Sequence, residues 1–176
     1  MAGIELLQEG GPAALTLRRA AARAKVSHAA PAWHFDGLPG LLTAIAAHAF
    51  RIFKDEMVKA RDALPATPFE RLAGICRGYM SFAEDNGGLF HVMFVAAEVE
   101  RSDPDFAEAA NAAYQILSEA CAPYADPARP EQTEVAVWSL VHGYVQLGFA
   151  SPASVARHQK DPLDFDAMLR QLVGSP

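Results

Sequence analysis

The segment TLRRAAARAKVSHAAPAWHF, residues 16–35, decides how this chain is organised. Thr16 is a residue type that caps helix N-termini, and the residues after it favour a short helix. Lys25-Val26 then forms a tight turn, and Ser27 caps a second short helix that ends near Phe35. Two short helices joined in this way form a helix-turn-helix, and the second helix has the size that enters a DNA major groove.

Further helices are predicted on both sides of this motif, because apolar residues recur at helical spacing between glycine- and proline-rich breaks. These predicted helices cover residues 4–9, 41–64, 69–84, 89–99, 104–124, 131–150 and 162–173. No segment alternates like a strand, so we expect an all-α fold of about nine helices. We divide it into a helix-turn-helix head, residues 1–45, and a helical body, residues 46–176.

The charge of the chain is unevenly distributed. The net charge of −6 at pH 7 argues against a protein that is basic throughout. Residues 1–50 contain four Lys or Arg and three Asp or Glu, a balance of +1, which leaves −7 for the remainder. A slightly basic head on an acidic body suits a protein that touches phosphates at one end only.

The sequence gives no sign of a membrane or of an oxidising compartment. The N-terminus lacks the basic flank of a signal peptide, and no stretch approaches the ~20 apolar residues of a membrane helix. The two cysteines, Cys76 and Cys121, lie in apolar helical segments without a CxxC spacing. We expect both to be buried and reduced, and the protein to be cytoplasmic, without a metal, a cofactor or a membrane partner.

The head resembles that of the TetR family of transcriptional regulators. The resemblance rests on the motif at 16–35, on ELLQEGGPAALT before it and on LLTAIAAHAF after it, and it covers residues 2–50 almost continuously. In the body, YMSFAEDNGGLFHVMF and VWSLVHGYVQLGF resemble a ligand-binding domain called WHG, whose name residues fall at Trp138, His142 and Gly143. The resemblance implies a DNA-binding head on a dimeric body that senses a small ligand.

The resemblance also implies which side chains contact DNA. Arg18 and Arg19 are expected to contact phosphates, and small residues at the start of the second helix to meet base edges. Trp33 either packs along a phosphate or covers the junction between head and body, whereas Phe35 is expected in the core. The full expected set is Thr16, Arg18, Arg19, Lys25, Ser27, His28, Ala29, Ala30, Trp33 and His34.

Three departures from the family pattern leave a second hypothesis open. Ala32 and Leu38 stand where such heads carry a phosphate-binding tyrosine and lysine, and Met1 begins part-way through the first helix. Each lost phosphate contact should cost about 1 kcal/mol. The alternative is therefore a dimeric small-molecule-binding protein whose head has lost DNA binding, or a chain whose true start lies upstream.

The predicted helix 131–150 is apolar on two sides, which indicates burial on two sides. One face can fill its own subunit while the other meets a partner, and small residues between the faces would let helices approach closely. A dimer also fits the reading of two DNA half-sites. The expected homodimer interface consists of Val137, Leu140, Gly143, Tyr144, Leu147 and, from the last helix, Leu169.

Aromatic and flexible side chains of the body either line an apolar ligand cavity or form ordinary core. In the same way, His142 is either a ligand contact or a core histidine with its hydrogen bonds satisfied. The expected ligand-binding set is Tyr79, Phe82, Phe90, Met93, Phe94, Tyr114, Trp138 and His142.

No enzyme motif occurs in the sequence. We find no glycine-rich phosphate loop, nucleophile elbow, paired carboxylates or metal-ligand spacing, so no catalytic residue is expected. The sequence therefore favours a ligand-responsive regulator. We expect a repressor that a small apolar or amphipathic effector releases from an operator in double-stranded DNA.

Overall fold

The computed structural model describes residues 1–27, 29–149 and 163–174. In these ranges the chain forms nine α-helices and no strand, which confirms the predicted all-α fold. The helices are α1 (Ala2–Gly10), α2 (Leu17–Ala24), α3 (Ala30–Phe35), α4 (Gly37–Asp62), α5 (Pro68–Asp85), α6 (Gly87–Phe94), α7 (Pro104–Cys121), α8 (Pro130–Gln146) and α9 (Phe165–Val173). Short 3-10 turns occur at Pro12–Ala14 and Ala122–Tyr124.

The chain folds as two compact units. Unit 1 consists of residues 1–52 and 85–113, and unit 2 of the described parts of residues 53–84 and 114–176. Helices α4 and α7 therefore contribute residues to both units. The predicted division at residue 45 separates head from body by function, and it stays a prediction.

In unit 1, α6 packs directly on α1. Gly88 permits this approach, because a Cβ atom at its position would lie 2.7 Å from the carbonyl oxygen of Leu7. Leu7 itself is buried. The side-chain amide of Gln8 donates to the side-chain oxygen of Asn86 at 3.3 Å. The first helix of the head is thus held by residues that lie more than 75 positions later in the sequence.

Thr43 is a buried polar residue that joins the start of α4 to the loop before α7. Its hydroxyl donates to the carbonyl oxygen of Pro39 and accepts the backbone N–H of Glu100, both at 2.9 Å. Because the hydroxyl makes both bonds, its burial leaves no orphaned polar atom. The aromatic core of the same unit contains the edge-on pairs Phe50–Phe94 and Phe50–Phe106.

Helix α4 begins at Gly37 rather than at the predicted Leu41. The chain reverses at Asp36, which has a φ of 53°, and Pro39 fits in the first turn, where backbone N–H groups need no helical partner. A Cβ on Gly40 would collide with the carbonyl oxygen of Phe35, so close backbone packing requires glycine there. The sequence that we interpreted as a break is therefore a helix start.

In unit 2, α4 and α5 approach each other through two glycines, one helical turn apart on α5. A Cβ on Gly74 would lie 2.8 Å from Cα of Arg61, and a Cβ on Gly78 would lie 2.7 Å from the carbonyl oxygen of Glu56. Both of these neighbours are backbone atoms, which cannot move aside without shifting the helix. The glycines therefore set the distance between α4 and α5.

The two cysteines belong to this same unit. Cys76 and Cys121 are buried free thiols, as predicted. Burial raises the pKa of both thiols, that of Cys121 to about 12. The reactive thiolate form is therefore disfavoured at neutral pH, and the cysteines act as small apolar side chains.

Several other helix ends differ from prediction by a few residues. Helix α6 covers Gly87–Phe94 instead of 89–99. It starts earlier than predicted because only Asn86 separates it from α5, and it already ends at Phe94. Helix α7 ends at Cys121, and the next three residues form a 3-10 turn. Of the predicted last helix, residue 162 lies outside the described ranges, and α9 begins at Phe165 with Asp164 as its N-cap.

Candidate functional site

The turn of the helix-turn-helix is built as the sequence predicted. The Thr16 hydroxyl accepts the backbone N–H of Arg19 at 3.2 Å and so caps α2. At the other end, Lys25 adopts a left-handed conformation with a φ of 55°, and its N–H bonds to the last carbonyls of the helix. Because a non-glycine residue pays a steric cost in that conformation, the turn is held by the packing around it.

Helix α3 is shorter than predicted. It covers Ala30–Phe35, so Ser27 and Ala29 precede it, and the N–H of Ala30 bonds to the carbonyl oxygen of Ser27 at 3.1 Å. The prediction that the second helix begins directly after Ser27 is therefore wrong. His28, which we expected to contact a base, lies outside the described residues.

The expected DNA-contacting side chains lie at the surface of unit 1. Trp33 is 90% exposed, so it does not cover a junction with any described residue, and its contact with a phosphate stays a prediction. Phe35, expected in the core, is only half-buried, and its ring meets that of His34 edge-on. Half-buried or exposed members of the expected set are Thr16, Arg18, Arg19, Lys25, Ser27, Ala29, Ala30, Trp33 and His34.

Of the four Lys and Arg side chains on this surface, one is ion-paired within the described part of unit 1 and three are not. Arg23 forms ion pairs with Glu5 at 3.2 Å and with Glu9 at 2.6 Å. These hydrogen bonds raise the pKa of Arg23 and lower that of the Glu9 carboxyl. Within the described residues, no ion pair involves the remaining three, which are Arg18, Arg19 and Lys25.

The expected ligand-binding residues are divided between the two units. Phe90, Met93 and Phe94 belong to unit 1, where the first two are buried and the rings of Phe90 and Phe94 lie 4.8 Å apart. The others belong to unit 2, where Tyr79 and Phe82 are both packed on Phe53. This tight packing favours the interpretation that these five side chains form ordinary hydrophobic core: Tyr79, Phe82, Phe90, Met93 and Phe94.

Three of the unit 2 residues form a hydrogen-bonded chain. The phenol oxygen of Tyr79 lies 2.6 Å from Nδ1 of His142 and also bonds to Trp138. Since an indole N–H only donates, the Tyr79 hydroxyl is left to donate to the histidine. Desolvation raises the pKa of Tyr79 and lowers that of His142. Nδ1 of the half-buried His142 ring is thus hydrogen-bonded within the protein, which favours the core interpretation for this histidine.

The polar end of Tyr114 is also engaged. Its hydroxyl donates to Oε2 of Glu134 at 2.6 Å, and the hydroxyl of Ser118 donates to the other oxygen at 2.8 Å. Burial, aided by the Glu134 bond, raises the pKa of Tyr114 to about 12. The ring lies 5.8 Å from that of Trp138. These contacts join α7 to α8 and use the hydroxyl's single hydrogen, so Tyr114 could meet a ligand only as an acceptor.

A cavity of about 310 Å³ lies elsewhere in unit 2, and the sequence did not reveal it. Its aromatic wall is centred on Tyr144, whose ring lies 5.7 Å from Phe149 and 5.1 Å from Phe165. The Tyr144 hydroxyl donates to the carbonyl oxygen of Leu163 at 3.2 Å. The full lining is Arg77, Met80, Ser81, Glu84, Tyr144, Phe149 and Phe165.

The end of α8 builds this wall. The helix stops at Gln146 and not at residue 150, because Gly148 adopts a left-handed conformation with a φ of 80°. The N–H of Phe149 then bonds to the carbonyl oxygen of Tyr144 at 3.0 Å, the backbone closure of a Schellman motif. In that motif the residue after the glycine packs back on the helix, so the pair Gly148-Phe149 was a signal of the wall in the sequence.

The residues of the expected dimer interface differ in exposure. Val137, Tyr144 and Leu169 are buried within one chain, which favours a place in its own core over a contact with a partner. The remaining expected members are Leu140, which is half-buried, Gly143, which has open space beside it, and Leu147, which is 68% exposed. Val135 and Trp138 of α8, which were not in the expected interface, are exposed as well.

No helix in the described ranges is long and apolar enough to cross a bilayer. Nor do three or more His, Cys, Asp or Glu side chains of those ranges gather where they could hold a metal ion.

Similar proteins identify the family. A family model described as "Tetracyclin repressor-like, C-terminal domain" matches residues 72–173, which is more than half of the chain and includes Trp138, His142 and Gly143. Similar solved structures include a protein with unknown function from Rhodococcus sp. RHA1, with a TM-score of 0.73 and 23% identity over 96% of this chain and 86% of that one. Another is SCO4313, a candidate regulatory protein, with a TM-score of 0.68 and 23% identity over 98% and 91%.

A third is a possible TetR family transcriptional regulator from Streptomyces coelicolor A3(2), with a TM-score of 0.57 and 24% identity over 98% of this chain and 78% of that one. At such low identity these structures show a shared fold. No curated protein matches the sequence. With the family model matched over the body and a helix-turn-helix in the head, the chain belongs to the TetR family of transcriptional regulators.

Proposed function

We propose that this chain is a cytoplasmic, homodimeric repressor, without enzymatic activity, that a small apolar or amphipathic effector releases from operator DNA. The observation that carries the DNA-binding half is the surface around the turn between α2 and α3. There Arg18, Arg19 and Lys25 have no internal ion-pair partner among the described residues, and Trp33 is almost fully exposed. Unpaired cations can neutralise phosphates, which is the main source of affinity for DNA.

The proposed dimer forms through the exposed face of α8. Val135 of α8 and Leu147, the residue that follows this helix, are large apolar side chains at the surface, and the open space beside Gly143 leaves room for a close approach. Leu172 of α9 is exposed as well. An apolar face of this size on one chain is best explained by a second copy, because two heads are needed to read two half-sites.

The proposed effector response is a shift between two populations of the dimer. Helix α4 is 26 residues long and follows α3 after a single residue, Asp36. At 1.5 Å per residue it spans roughly 39 Å, so a small change in its direction near the body would displace the head. An effector that binds the displaced state more tightly would lower the affinity for the operator.

The test is fluorescence anisotropy of a labelled duplex from the region upstream of the gene, titrated at several salt concentrations. Arg19→Ala and Lys25→Ala each remove two charges per dimer, so the slope of log K against log salt should fall by about 1.8 for each variant. Arg23→Ala is the matched control. Its charge is already compensated by Glu5 and Glu9, and the slope should stay unchanged.

The second candidate function is a dimeric small-molecule-binding protein whose head has lost DNA binding. It is motivated by Ala32 and Leu38, which stand where related heads carry phosphate contacts. Wild-type protein that binds the upstream duplex no more tightly than a random duplex, even at low salt, would favour this candidate and overturn the first.

A further inference from the structure

We propose that the cavity beside Tyr144 is a binding site for an organic cation, such as an amphipathic amine. This inference deepens the effector half of the proposed function. The site lies wholly in unit 2, and none of the ligand-binding residues expected from the sequence lines it. Its volume of about 310 Å³ is at the lower end of the range of small-molecule sites.

The first argument is the aromatic wall. The rings of Phe149 and Phe165 both lie within 6 Å of the Tyr144 ring, and the thioether of Met80 lines the same cavity. Aromatic faces attract a cation within about 6 Å of the ring centre. Of the three rings, the half-buried ring of Phe149 is the one that a ligand reaches most readily, and the methyl or methylene groups of an ammonium ion can pack against it.

The second argument is the charge of the lining. Arg77 is ion-paired with Asp166 of α9, so its charge is compensated. Glu84 lies one helical turn beyond Met80 and Ser81 on α5, and it forms no hydrogen bond or ion pair with any residue in the described ranges. Asp166 lies outside the lining, but with it included the charges of Arg77, Asp166 and Glu84 sum to −1, and the uncompensated group is the carboxylate of Glu84. A cation is therefore the ligand that the cavity attracts.

The third argument is that the wall is fixed before a ligand arrives. Gly148 turns the chain so that Phe149 packs back on Tyr144, and the Tyr144 hydroxyl is held by the carbonyl oxygen of Leu163. Phe165 is held at the first position of α9, where Asp164 caps the helix by accepting the N–H of Ala167. A preformed wall loses little conformational entropy on binding.

The test is isothermal titration calorimetry of the full chain with benzyltrimethylammonium, with its uncharged isostere neopentylbenzene, and with benzenesulfonate. We expect the cation to bind at least tenfold more tightly than the other two. Glu84→Gln should weaken cation binding about threefold to tenfold, as should Phe149→Leu, which keeps an apolar side chain but removes the ring. Glu98→Gln, an equal charge change at an exposed residue of unit 1, is the control and should have no effect.

Equal binding of cation and isostere, tighter binding of the sulfonate, or cation affinity unchanged by both Glu84→Gln and Phe149→Leu would each overturn the proposal. Melting curves must first show that both variants are folded. The measurement uses no DNA, so its failure leaves the repressor proposal standing. Conversely, a protein that binds the cation but no operator would retain this site and lose the proposed function.

Discussion

The phenol oxygen of Tyr79 lies 2.6 Å from Nδ1 of His142, and this bond joins α5 to α8 inside unit 2. The two residues are 63 positions apart in the sequence. Trp138, one turn before His142 on α8, bonds to the same phenol. Two of the three residues for which the WHG domain is named thus belong to one hydrogen-bonded chain that is anchored on α5.

This chain makes stability depend on pH. Desolvation lowers the pKa of His142 in the folded protein below its ordinary value of 6.5. A depressed pKa means that the unfolded state binds more protons, so the contribution is complete above pH 6.5 and is lost as pH falls through the folded value. Wild type should lose roughly 1–2 °C more in Tm than His142→Gln between pH 7.5 and pH 5.5.

Circular dichroism melts at the two pH values measure this difference. His91→Gln is the control, because His91 is exposed on α6 and belongs to unit 1. A wild type and a His142→Gln variant with parallel Tm against pH would show that His142 does not carry the effect.

Gly78→Ala should destabilise the protein. The added methyl would meet the backbone of Glu56 and Met57 at 2.7 Å, and α4 and α5 can yield only by moving apart. Overpacking of this kind costs about 1–3 kcal/mol, which lowers Tm by roughly 2–12 °C in a chain of this size. Gly87→Ala is the matched control, since nothing lies within 4 Å of its new Cβ. Similar melting curves for the two variants would contradict the close approach.

Val135→Asp should dissociate the proposed dimer. Val135 is 52% exposed on α8, so a charge there costs little in one chain but much in an apolar interface. Sedimentation velocity at micromolar concentration should show a monomer. Val95→Asp, at a residue with 51% exposure outside α8, should remain dimeric. A wild-type monomer, or two variants that sediment alike, would remove this face from the interface.

Leu38→Lys should strengthen DNA binding and make it steeper in salt. Leu38 is half-buried in the first turn of α4, close in sequence to α3, and it replaces a residue that is a phosphate-binding lysine in related heads. Two added charges per dimer raise the slope of log K against log salt by roughly 2. The control is Ala63→Lys, at an exposed position just past the other end of the same helix. An equal response to both variants would show a general charge effect instead of a contact.

Trp33 provides an optical report of operator binding. The chain has two tryptophans, so Trp138→Phe leaves Trp33 as the sole emitter. Because Trp33 is 90% exposed, a contact with DNA should change its emission strongly on titration with the upstream duplex. Emission that stays constant while anisotropy reports binding would place Trp33 away from the DNA. In the converse variant, Trp33→Phe, only Trp138 emits, and its emission should change much less on titration with the same duplex.

The parts of the fold that follow from near neighbours in the sequence were predictable. The Thr16 cap, the turn at Lys25 and most helix centres depend on residues a few positions apart. Glycines misled where they serve packing: Gly40 and Gly88 looked like breaks but lie within helices and let another backbone approach. The local pattern cannot say whether a glycine frees the chain or lets another backbone approach it.

The exposed residues of α8 and the cavity could not be predicted from the sequence for a related reason. Helical spacing groups Val137 with Leu147, but the packing of other elements around α8 buries the first and leaves the second exposed. The cavity likewise needs Tyr144 and Phe165 to meet across 21 positions, of which 150–162 lie outside the described residues. Gly148, by contrast, was a local signal that α8 ends near residue 147. The sequence interpretation followed the helical spacing of the apolar residues instead and extended the helix to residue 150.

The approach of Gly88 to Leu7 has a consequence for anyone who recombines regulators. A chimera that joins residues 1–45 of this chain to a foreign body would leave out α6, on which α1 rests, and Glu100, which bonds to Thr43. The transplanted module would expose apolar surface at Leu7 and carry a buried hydroxyl without its donor. Exchange of DNA specificity in this protein therefore calls for grafting side chains onto α2 and α3, with the whole of unit 1 left in place.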